Sequence, residues 1–208
     1  MTPDDLPEVT EIDREGFPNQ WPPADYQYDL KNRLAHYTVA CDPAVVVSPR
    51  PVADRGGWLR RLLGRPPAEA PTDPRHLIVG FVGFWVMAGE AHITSIAVRT
   101  KYRRRGIGEL LLIASIEQAM AFNADVVTLE VRASNTGAQA LYLKHGFNEV
   151  GVRKGYYLDR GPSGDTRENA LIMTTADIKS TAYREKFEQL KQAHTERWTR
   201  AWAKLSVP

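Results

Sequence analysis

The sequence predicts an α+β fold: one mixed, mostly antiparallel twisted sheet flanked by helices, with an added C-terminal helix. Segments with the two-residue periodicity of strands and segments with the 3.6-residue periodicity of helices follow one another along the chain. The chain has 208 residues, 43% of them hydrophobic, which suffices for one domain with a substantial core but is cramped for two. We therefore expect one domain over residues 1–178 and a helical extension over residues 179–208.

The first part of the chain predicts two helices and one strand. Prolines at 18, 22 and 23 exclude regular structure from Phe17 to Pro23, because proline fixes its own φ and restricts its neighbour. On either side of that segment we expect helices over Pro7–Glu15 and Ala24–Asn32. The alternating sequence HYTVACD then predicts a strand over His36–Asp42.

Residues 43–75 are interpreted as an insertion into the domain. The stretch from 43 to 74 holds seven of the fourteen prolines and shows little periodicity. Within it, Gly56–Arg65 (GGWLRRLLGR) is a short, basic, amphipathic segment. We interpret this segment as a solvated loop with a small apolar anchor, and a membrane-surface or RNA contact is the alternative.

The second part of the chain predicts the rest of the sheet and two more helices. Two apolar strands, His76–Met87 and Ala91–Val98, are separated by a turn at Gly89 and therefore predict a hairpin. Apolar residues at helical spacing then predict a helix over Glu109–Asn123. The remaining expected elements are a strand over Asp125–Arg132, a helix capped by Ser134 or Asn135 and ended by Gly146, and strands over Gly146–Leu158 and Glu168–Thr175 joined by a loop at 161–165.

The C-terminal extension carries apolar and aromatic residues at spacings of three and four, which predicts an amphipathic helix from Thr181 onward. We expect its aromatic stripe to pack on the chain's own domain. A dimer contact or a ribosome contact is the alternative. The stripe consists of Tyr183, Phe187, Leu190, His194, Trp198, Trp202 and Leu205.

Composition and charge limit the classes of function. Cys41 is the only cysteine and the five histidines form no HxxxH pair, so we expect neither an internal disulfide nor a metal site. The net charge is +2, but residues 44–75 carry +3 and residues 179–208 carry +4, which leaves the remainder at −5. An acidic body suits a cationic substrate and argues against direct readout of nucleic acid. The acidic start of the chain does not resemble a signal peptide, and no apolar run could span a bilayer, so we expect a cytoplasmic protein.

A basic, glycine-containing segment, RRRGIG (Arg103–Gly108), follows a predicted strand and opens a predicted helix. The N–H groups of a helix's first turn lack partners, and glycine lets an anion approach them, so this segment predicts a phosphate site. The chain has no GxxxxGK(S/T) motif, and the preceding strand is expected to be antiparallel, which does not satisfy a Rossmann motif. The pyrophosphate of an acyl-CoA remains the best occupant.

Five motifs stand in order along the chain: FPNQW, SIAV followed by RRRGIG, LEVRASN, ALYLKHGF, and RKGYY followed by ENALIM. Together they resemble the motifs of the GCN5-related N-acetyltransferases. Within that family the chain is most similar to the bacterial enzymes that acetylate the N-terminal alanine of a ribosomal protein. The resemblance covers about Pro7 to Thr174 without the insertion.

The resemblance implies acetyl-CoA as the co-substrate and a role for each matched residue. Glu130 would be the general base and Tyr142 the general acid. Main-chain groups of Ile96, Ala97 and Val98 would contact the pantetheine arm and the acetyl carbonyl. The pyrophosphate would be held by Arg103, Arg104, Arg105, Gly106, Ile107 and Gly108; Asn135 would contact the cofactor from the next helix; Tyr156 and Tyr157 would border the peptide site.

Elementary chemistry is compatible with those roles. Freeing an amine of its proton at pH 7 costs about 1 kcal/mol for an α-amino group and roughly 4 to 5 kcal/mol for lysine, so one carboxylate is an adequate base for an N-terminus. Proton transfer from tyrosine to a thiolate is uphill by about 2 kcal/mol, which an enzyme can tolerate. Outside this motif context, Glu130 would be interpreted as a solvated strand residue and Tyr142 as a packing residue.

We expect an acetyl-CoA-dependent N-α-acetyltransferase that transfers the acetyl group directly, within a ternary complex. The substrate implied by the resemblance is the N-terminal alanine of a basic protein of the small ribosomal subunit. An acetyltransferase of the same fold acting on lysine side chains or a small-molecule amine is one alternative. A non-catalytic acyl-CoA-binding or ribosome-interaction module is another. The sequence leaves the oligomeric state open.

Overall fold

The computed structural model describes residues 1–18, 24–47, 75–161 and 164–205, without the side chains of 160, 161 and 200–205. The predicted basic segment Gly56–Arg65 and most of the predicted irregular segment Phe17–Pro23 lie outside the described residues. Among the described residues, no helix is long and apolar enough to cross a membrane. The described residues also contain no group of three or more His, Cys, Asp or Glu side chains that could hold a metal ion.

Six described strands form one sheet in the order β1-β2-β3-β4-β6-β5. β3 and β4 run parallel, whereas every other neighbouring pair is antiparallel. The mixed, mostly antiparallel sheet confirms the predicted α+β fold. The strands are β1 (Ala35–Val47), β2 (Arg75–Met87), β3 (Glu90–Val98), β4 (Val126–Arg132), β5 (Phe147–Gly161) and β6 (Gly164–Thr175).

Helices cover both faces of the sheet and enclose two apolar cores. On one face, α1 and α2 pack on the sheet through Val9, Ile12 and Phe81. On the other face, a larger core around Leu112 and Leu129 joins the sheet to the three later helices. The described helices are α1 (Leu6–Gly16), α2 (Tyr26–Asp29), α3 (Ile107–Ala121), α4 (Thr136–Lys144) and α5 (Thr181–Leu205), with short 3₁₀ turns at Pro3–Asp5 and Thr100–Tyr102.

Three sequence-based boundaries were wrong. The helix predicted over Ala24–Asn32 is only the four-residue α2, and the chain after Asp29 continues in turns, in which the Asn32 side chain accepts the main-chain N–H of Leu34 at 3.0 Å. Residues 43–47, assigned to the insertion, belong to β1, whose Val47 pairs with the first residue of β2. The loop predicted at 161–165 is shorter, since β5 and β6 remain paired as far as Gly161 and Gly164.

The C-terminal helix packs on its own domain, as we expected. Tyr183, Phe187 and His194 are buried, and the first two belong to the larger core. The hydroxyl of Tyr183 donates to the carbonyl of His145 at 3.0 Å, which fixes the start of α5 against the end of α4. The Trp202 and Leu205 side chains of the predicted stripe lie outside the described part.

Candidate active site

A gap opens between the two parallel strands in the middle of the sheet. Over the described chain, the register of β3 with β4 ends at Ile93 and Leu129, although β3 continues to Val98 and β4 to Arg132. The register of β3 with β2 skips Thr94 at this point, which makes Thr94 a β-bulge. Because a bulge bends its strand, the second half of β3 turns away from β4. The divergence creates a cleft that connects the two faces of the sheet.

The main chain of β3 borders this cleft. The N–H of Arg99 donates to the carbonyl of Val79 at 2.9 Å. Because main-chain groups alternate in direction along a strand, the odd-numbered residues in this part of β3 direct theirs towards β2. Ile96 and Val98 therefore present their N–H and C=O groups to the cleft. The main chain of Ala97 faces β2, and its side chain is buried in the core beneath α1. Of the three predicted residues, Ile96 and Val98 border the cleft, and Ala97 holds the strand in place.

Glu130 lies on the α1 face of β4 at one side of the cleft, and its side chain is only 8% exposed. One carboxylate oxygen is 2.9 Å from Nε2 of His92 on β3. The other oxygen is 3.0 Å from the guanidinium of Arg153 on β5. Glu130 is thus a buried, fixed carboxylate with partners on two other strands, and it is not a solvated strand residue.

The contact between His92 and Glu130 shifts the pKa of each residue. The hydrogen bond to His92 lowers the pKa of Glu130 below its ordinary 4.5, although burial acts in the opposite direction. The same hydrogen bond raises the pKa of His92 above its ordinary 6.5, again against the effect of burial. Glu130 is therefore ionised at neutral pH, and His92 keeps its proton to a higher pH than an ordinary histidine does. A carboxylate and an imidazole in contact can together accept one proton from an amine.

Tyr142 lies on the opposite face of the sheet from Glu130. It is 5% exposed, belongs to the larger core, and its ring centroid is 5.7 Å from that of Phe147. Burial raises the pKa of Tyr142 above its ordinary 10.0, and the neighbouring Tyr157 adds to the shift. The phenol of Tyr157 also donates to the carbonyl of Glu130 at 3.2 Å. Tyr157 thereby connects the surroundings of the predicted acid with those of the predicted base.

The two adjacent tyrosines of β5 lie near Glu130. Residues 154–156 bulge out of β5, and the rings of Tyr156 and Tyr157 then meet edge to face with centroids 5.1 Å apart. The guanidinium of Arg132 lies 4.4 Å from the Tyr157 ring centroid, and that of Arg153 lies 5.4 Å from the Tyr156 centroid. Tyr156 is half-exposed, whereas burial raises the pKa of Tyr157 to about 12. Tyr156 is the member of the pair that an approaching substrate can reach.

The segment Arg103–Gly108 joins the end of β3 to α3. Gly106 precedes the helix with φ at +78°, and within the described part of the chain no side chain is hydrogen-bonded to the helix start as a cap. The first N–H groups of α3 are thus available to an anion, as the site for a pyrophosphate requires. The Arg103 side chain donates to the carbonyls of Val98 at 3.1 Å and Glu15 at 3.3 Å, so it fastens the loop to β3 and α1.

Of the other predicted cofactor residues, Arg104 and Arg105 lie beside the same helix start, whereas Asn135 lies at the start of α4. Arg104 has φ at +62°, and the Arg105 guanidinium lies 5.1 Å from the Tyr102 ring centroid. At the entrance of α4, the Asn135 side chain accepts the N–H of Ala138 at 3.2 Å and caps that helix. This cap fixes Asn135 at the end of β4. The donor set of main-chain N–H groups and arginines fits a pyrophosphate.

Comparison with known proteins identifies the family. A family model described as the acetyltransferase (GNAT) family matches residues 6–147, which is well over half of the chain. The chain belongs to the GNAT acetyltransferase family. As a GNAT acetyltransferase it uses acetyl-CoA, which agrees with the cleft in the sheet and with the uncapped start of α3.

Several relatives of this GNAT enzyme carry a name that specifies their substrate. A Bacillus subtilis (strain 168) protein, provisionally named ribosomal protein bS18-alanine N-acetyltransferase, is 31% identical over 174 residues, covering 83% of this chain and 90% of that one. The Escherichia coli (strain K12) protein of that name is 43% identical over 88 residues, covering 42% of this chain and 57% of that one. A crystal structure of the ribosomal-protein-S18-alanine N-acetyltransferase from Escherichia coli superposes with a TM-score of 0.59 at 24% identity, covering 84% of this chain and 89% of that one. That similarity shows the shared fold.

The sequence motifs of this GNAT chain did not reveal four residues around the site. His92 contacts Glu130 from the neighbouring β3 and Arg153 contacts it from β5 across β6, whereas His194 and Trp198 of α5 lie against Gly106. Side chains point to alternate faces of the sheet along EAHITSIAV. With β3 parallel to β4, this alternation would have placed His92 on the same face of the sheet as Glu130. The contacts of α5 had no comparable signal in the sequence.

Proposed function

We propose that this GNAT enzyme is an N-α-acetyltransferase whose substrate is the N-terminal alanine of a small-subunit ribosomal protein. The names of the relatives support this substrate, and one of those relatives is matched over nine-tenths of its length. Such a substrate would place the activity in the cytoplasm, where ribosomes are assembled. The acidic charge of the chain outside its two basic segments also suits a basic protein substrate.

The observation that carries the proposal is the buried Glu130 held between His92 and Arg153. Both carboxylate oxygens already have a partner and the pKa of Glu130 is lowered, first by its hydrogen bond to His92, so the site suits an amine that is already partly neutral. An α-amino group has a reference pKa of about 7.7 to 8.0, against about 10.4 for lysine. At neutral pH the neutral fraction of an N-terminus therefore exceeds that of lysine by roughly two orders of magnitude. This difference favours an N-terminus over a lysine side chain.

In the proposed reaction, the amine nitrogen attacks the carbonyl carbon of the thioester. A C–N bond forms, the C–S bond breaks, and the surplus amine proton passes to the pair of Glu130 and His92. The N–H groups of Ile96 and Val98, which face the cleft, would polarise the acetyl oxygen as negative charge develops on it. Tyr142 would protonate the departing sulfur from the opposite face of the sheet.

The burial of Tyr142 bears on its proposed role as acid. Its raised pKa makes proton donation harder than the reference values for tyrosine and a thiol imply. The same apolar surroundings also disfavour a thiolate, and they raise the pKa of a thiol placed beside the phenol. Because the pKa of the phenol and the pKa of the thiol both rise, the difference between them grows by less than the full shift of Tyr142.

Two matched peptides test the proposed substrate. One carries a free N-terminal alanine, basic residues and an internal lysine, and the other has the same sequence with its N-terminus blocked. We expect acetylation of the first peptide only, and fragment mass spectrometry should place the acetyl group on the α-nitrogen. Acetylation of the blocked peptide at lysine, or of a free polyamine in preference to either peptide, would overturn the proposal. Binding of acetyl-CoA without turnover on any amine would favour a non-catalytic module.

A comparison of protein N-termini in cells with and without this protein tests the cellular substrate. The proposal predicts that one small-subunit ribosomal protein loses N-terminal acetylation when the enzyme is absent. Unchanged acetylation of all ribosomal N-termini would show that the cellular substrate is another amine.

A further inference from the structure

The C-terminal helix reaches the start of α3, where the pyrophosphate site is proposed. It runs antiparallel to α3: Lys179 is 2.6 Å from Asp125 beyond the end of α3, and Lys191 is 2.7 Å from Glu117 within it. The next turn of α5 then meets Gly106 at the helix start. A segment outside the matched family region therefore contacts the loop expected to hold the cofactor.

His194 makes the polar contact with this loop. Its side chain is buried, and Nε2 lies 3.0 Å from the carbonyl oxygen of Gly106. Because a carbonyl only accepts, Nε2 must carry the hydrogen. The same carbonyl accepts the N–H of Leu110 at 2.9 Å as the first bond of α3. His194 thus fixes the peptide plane from which the first turn of the helix begins.

Trp198 makes the apolar contact with the same glycine. A Cβ built on Gly106 would overlap Cε2 and Nε1 of the indole, so this edge of the ring rests on the glycine. The indole N–H is buried and has no hydrogen-bond partner among the described residues. The guanidinium of Arg197 lies 5.2 Å from the ring centroid. The polar contact of His194 and the apolar contact of Trp198 therefore meet at one glycine, at the start of α3.

We propose that His194 and Trp198 are positioning residues of the acetyl-CoA site: His194 holds the Gly106 carbonyl, and the indole of Trp198 packs against the same glycine, so that Gly106 keeps the left-handed conformation that begins α3. This inference rests on the proposed placement of the pyrophosphate at Arg103–Gly108, and it is independent of which amine is acetylated. It gives the C-terminal helix a function in cofactor binding.

The test compares two ligands that differ in the pyrophosphate. CoA carries this group together with the 3′-phosphoadenosine attached to it, pantetheine lacks both, and S-acetyl forms of the two ligands can serve as donors. His194→Ala and Trp198→Phe should each raise the calorimetric Kd for CoA by about tenfold, because each removes a contact that holds Gly106 and with it the first N–H groups of α3. Binding of pantetheine and the KM for S-acetylpantetheine should stay within about twofold of the parent values.

Two further variants separate positioning from general destabilisation. His194→Gln retains an N–H donor near the position of Nε2, and it should restore most of the CoA affinity. Lys191→Ala removes another contact between α5 and α3 at a distance from Gly106, and its CoA affinity should match the parent. Far-UV circular dichroism confirms that each variant is folded.

The proposal fails if His194→Ala and Trp198→Phe bind CoA as the parent does, or if pantetheine binding weakens equally. Tighter CoA binding by these variants would show that α5 covers the loop and opposes the cofactor. These outcomes need no peptide, so a wrong amine substrate would leave the test intact.

Discussion

The two ends of the cleft are built from different parts of the protein. At the proposed pyrophosphate end, the donors are main-chain N–H groups at the start of α3, and their geometry depends on one glycine with positive φ. At the amine end, the chemistry depends on side chains that three strands bring together around Glu130. The first end is encoded by a short continuous motif, whereas the second forms only once β3, β4, β6 and β5 have assembled into the sheet. We infer that the first end governs binding of acetyl-CoA and the second governs transfer.

The largest effect should come from Glu130→Gln, which keeps the shape of the side chain and removes its basicity. General-base catalysis contributes about 10² to 10⁴ in rate, so we expect kcat to fall by about 10² to 10³ while the KM for acetyl-CoA changes little. Steady-state kinetics on the alanine peptide measures both constants. Glu149→Gln, at an exposed position of β5, is the matched control. Equal turnover by Glu130→Gln would remove this carboxylate from the mechanism.

The next effect should come from Gly106→Ala at the other end of the cleft. The φ of +78° disfavours alanine by about 1 to 2 kcal/mol, and the added methyl group would overlap Trp198. We expect the KM for acetyl-CoA to rise by about tenfold or more, with kcat at saturation nearly unchanged. Gly137→Ala adds the same methyl group where no atom lies within 4 Å and should behave as the parent. An unchanged KM would place the pyrophosphate elsewhere.

His92→Gln should change the pH dependence of the reaction. Glu130 raises the pKa of His92 above 6.5, so His92 is protonated below that raised value and cannot help to accept a proton. Activity of the parent should therefore rise with pH above 6.5, and His92→Gln should lose this part of the rise, with kcat lowered by about tenfold. The amine also titrates, so both enzymes must be compared on one peptide. Superimposable pH profiles would show that His92 has no part in proton transfer.

The smallest effect should follow from Arg153→Met. Arg153 contributes to the lowered pKa of Glu130, but less than His92 does, and its side chain is 52% exposed and screened by water. Its loss should raise the pKa of Glu130 slightly and change kcat/KM by less than about threefold, an effect that high salt should reduce. Lys154→Met provides a neighbouring control. A change above about tenfold would mean that Arg153 contacts the substrate directly.

The contrast between the two ends also explains what could be predicted from the sequence. Periodicity identified the strands and longer helices, and it failed for α2, because after Asp29 the chain turns through local hydrogen bonds such as that of Asn32 with Leu34. The motif at Arg103–Gly108 was visible because its residues are consecutive. Glu130 and Tyr142 were named through the family resemblance. His92 and Arg153 were not, because they meet Glu130 only through strand pairing across 38 and 23 residues of sequence.

The C-terminal helix shows a second limit of sequence-based prediction. Its aromatic spacing correctly predicted packing on its own domain, and Tyr183 and Phe187 serve that purpose. The same spacing did not distinguish His194 and Trp198 from the residues of the helix that pack in the core. Their position beside Gly106 depends on the antiparallel packing of α5 along α3, which no local pattern encodes.

The most direct test of the separation between the two ends is a double-mutant cycle on Glu130→Gln and Gly106→Ala. If the ends act independently, the double variant should show the kcat of Glu130→Gln and the acetyl-CoA KM of Gly106→Ala, with a coupling free energy below about 0.5 kcal/mol. A coupling above about 1 kcal/mol would contradict the account, because the glycine loop would then contribute to the transfer step itself.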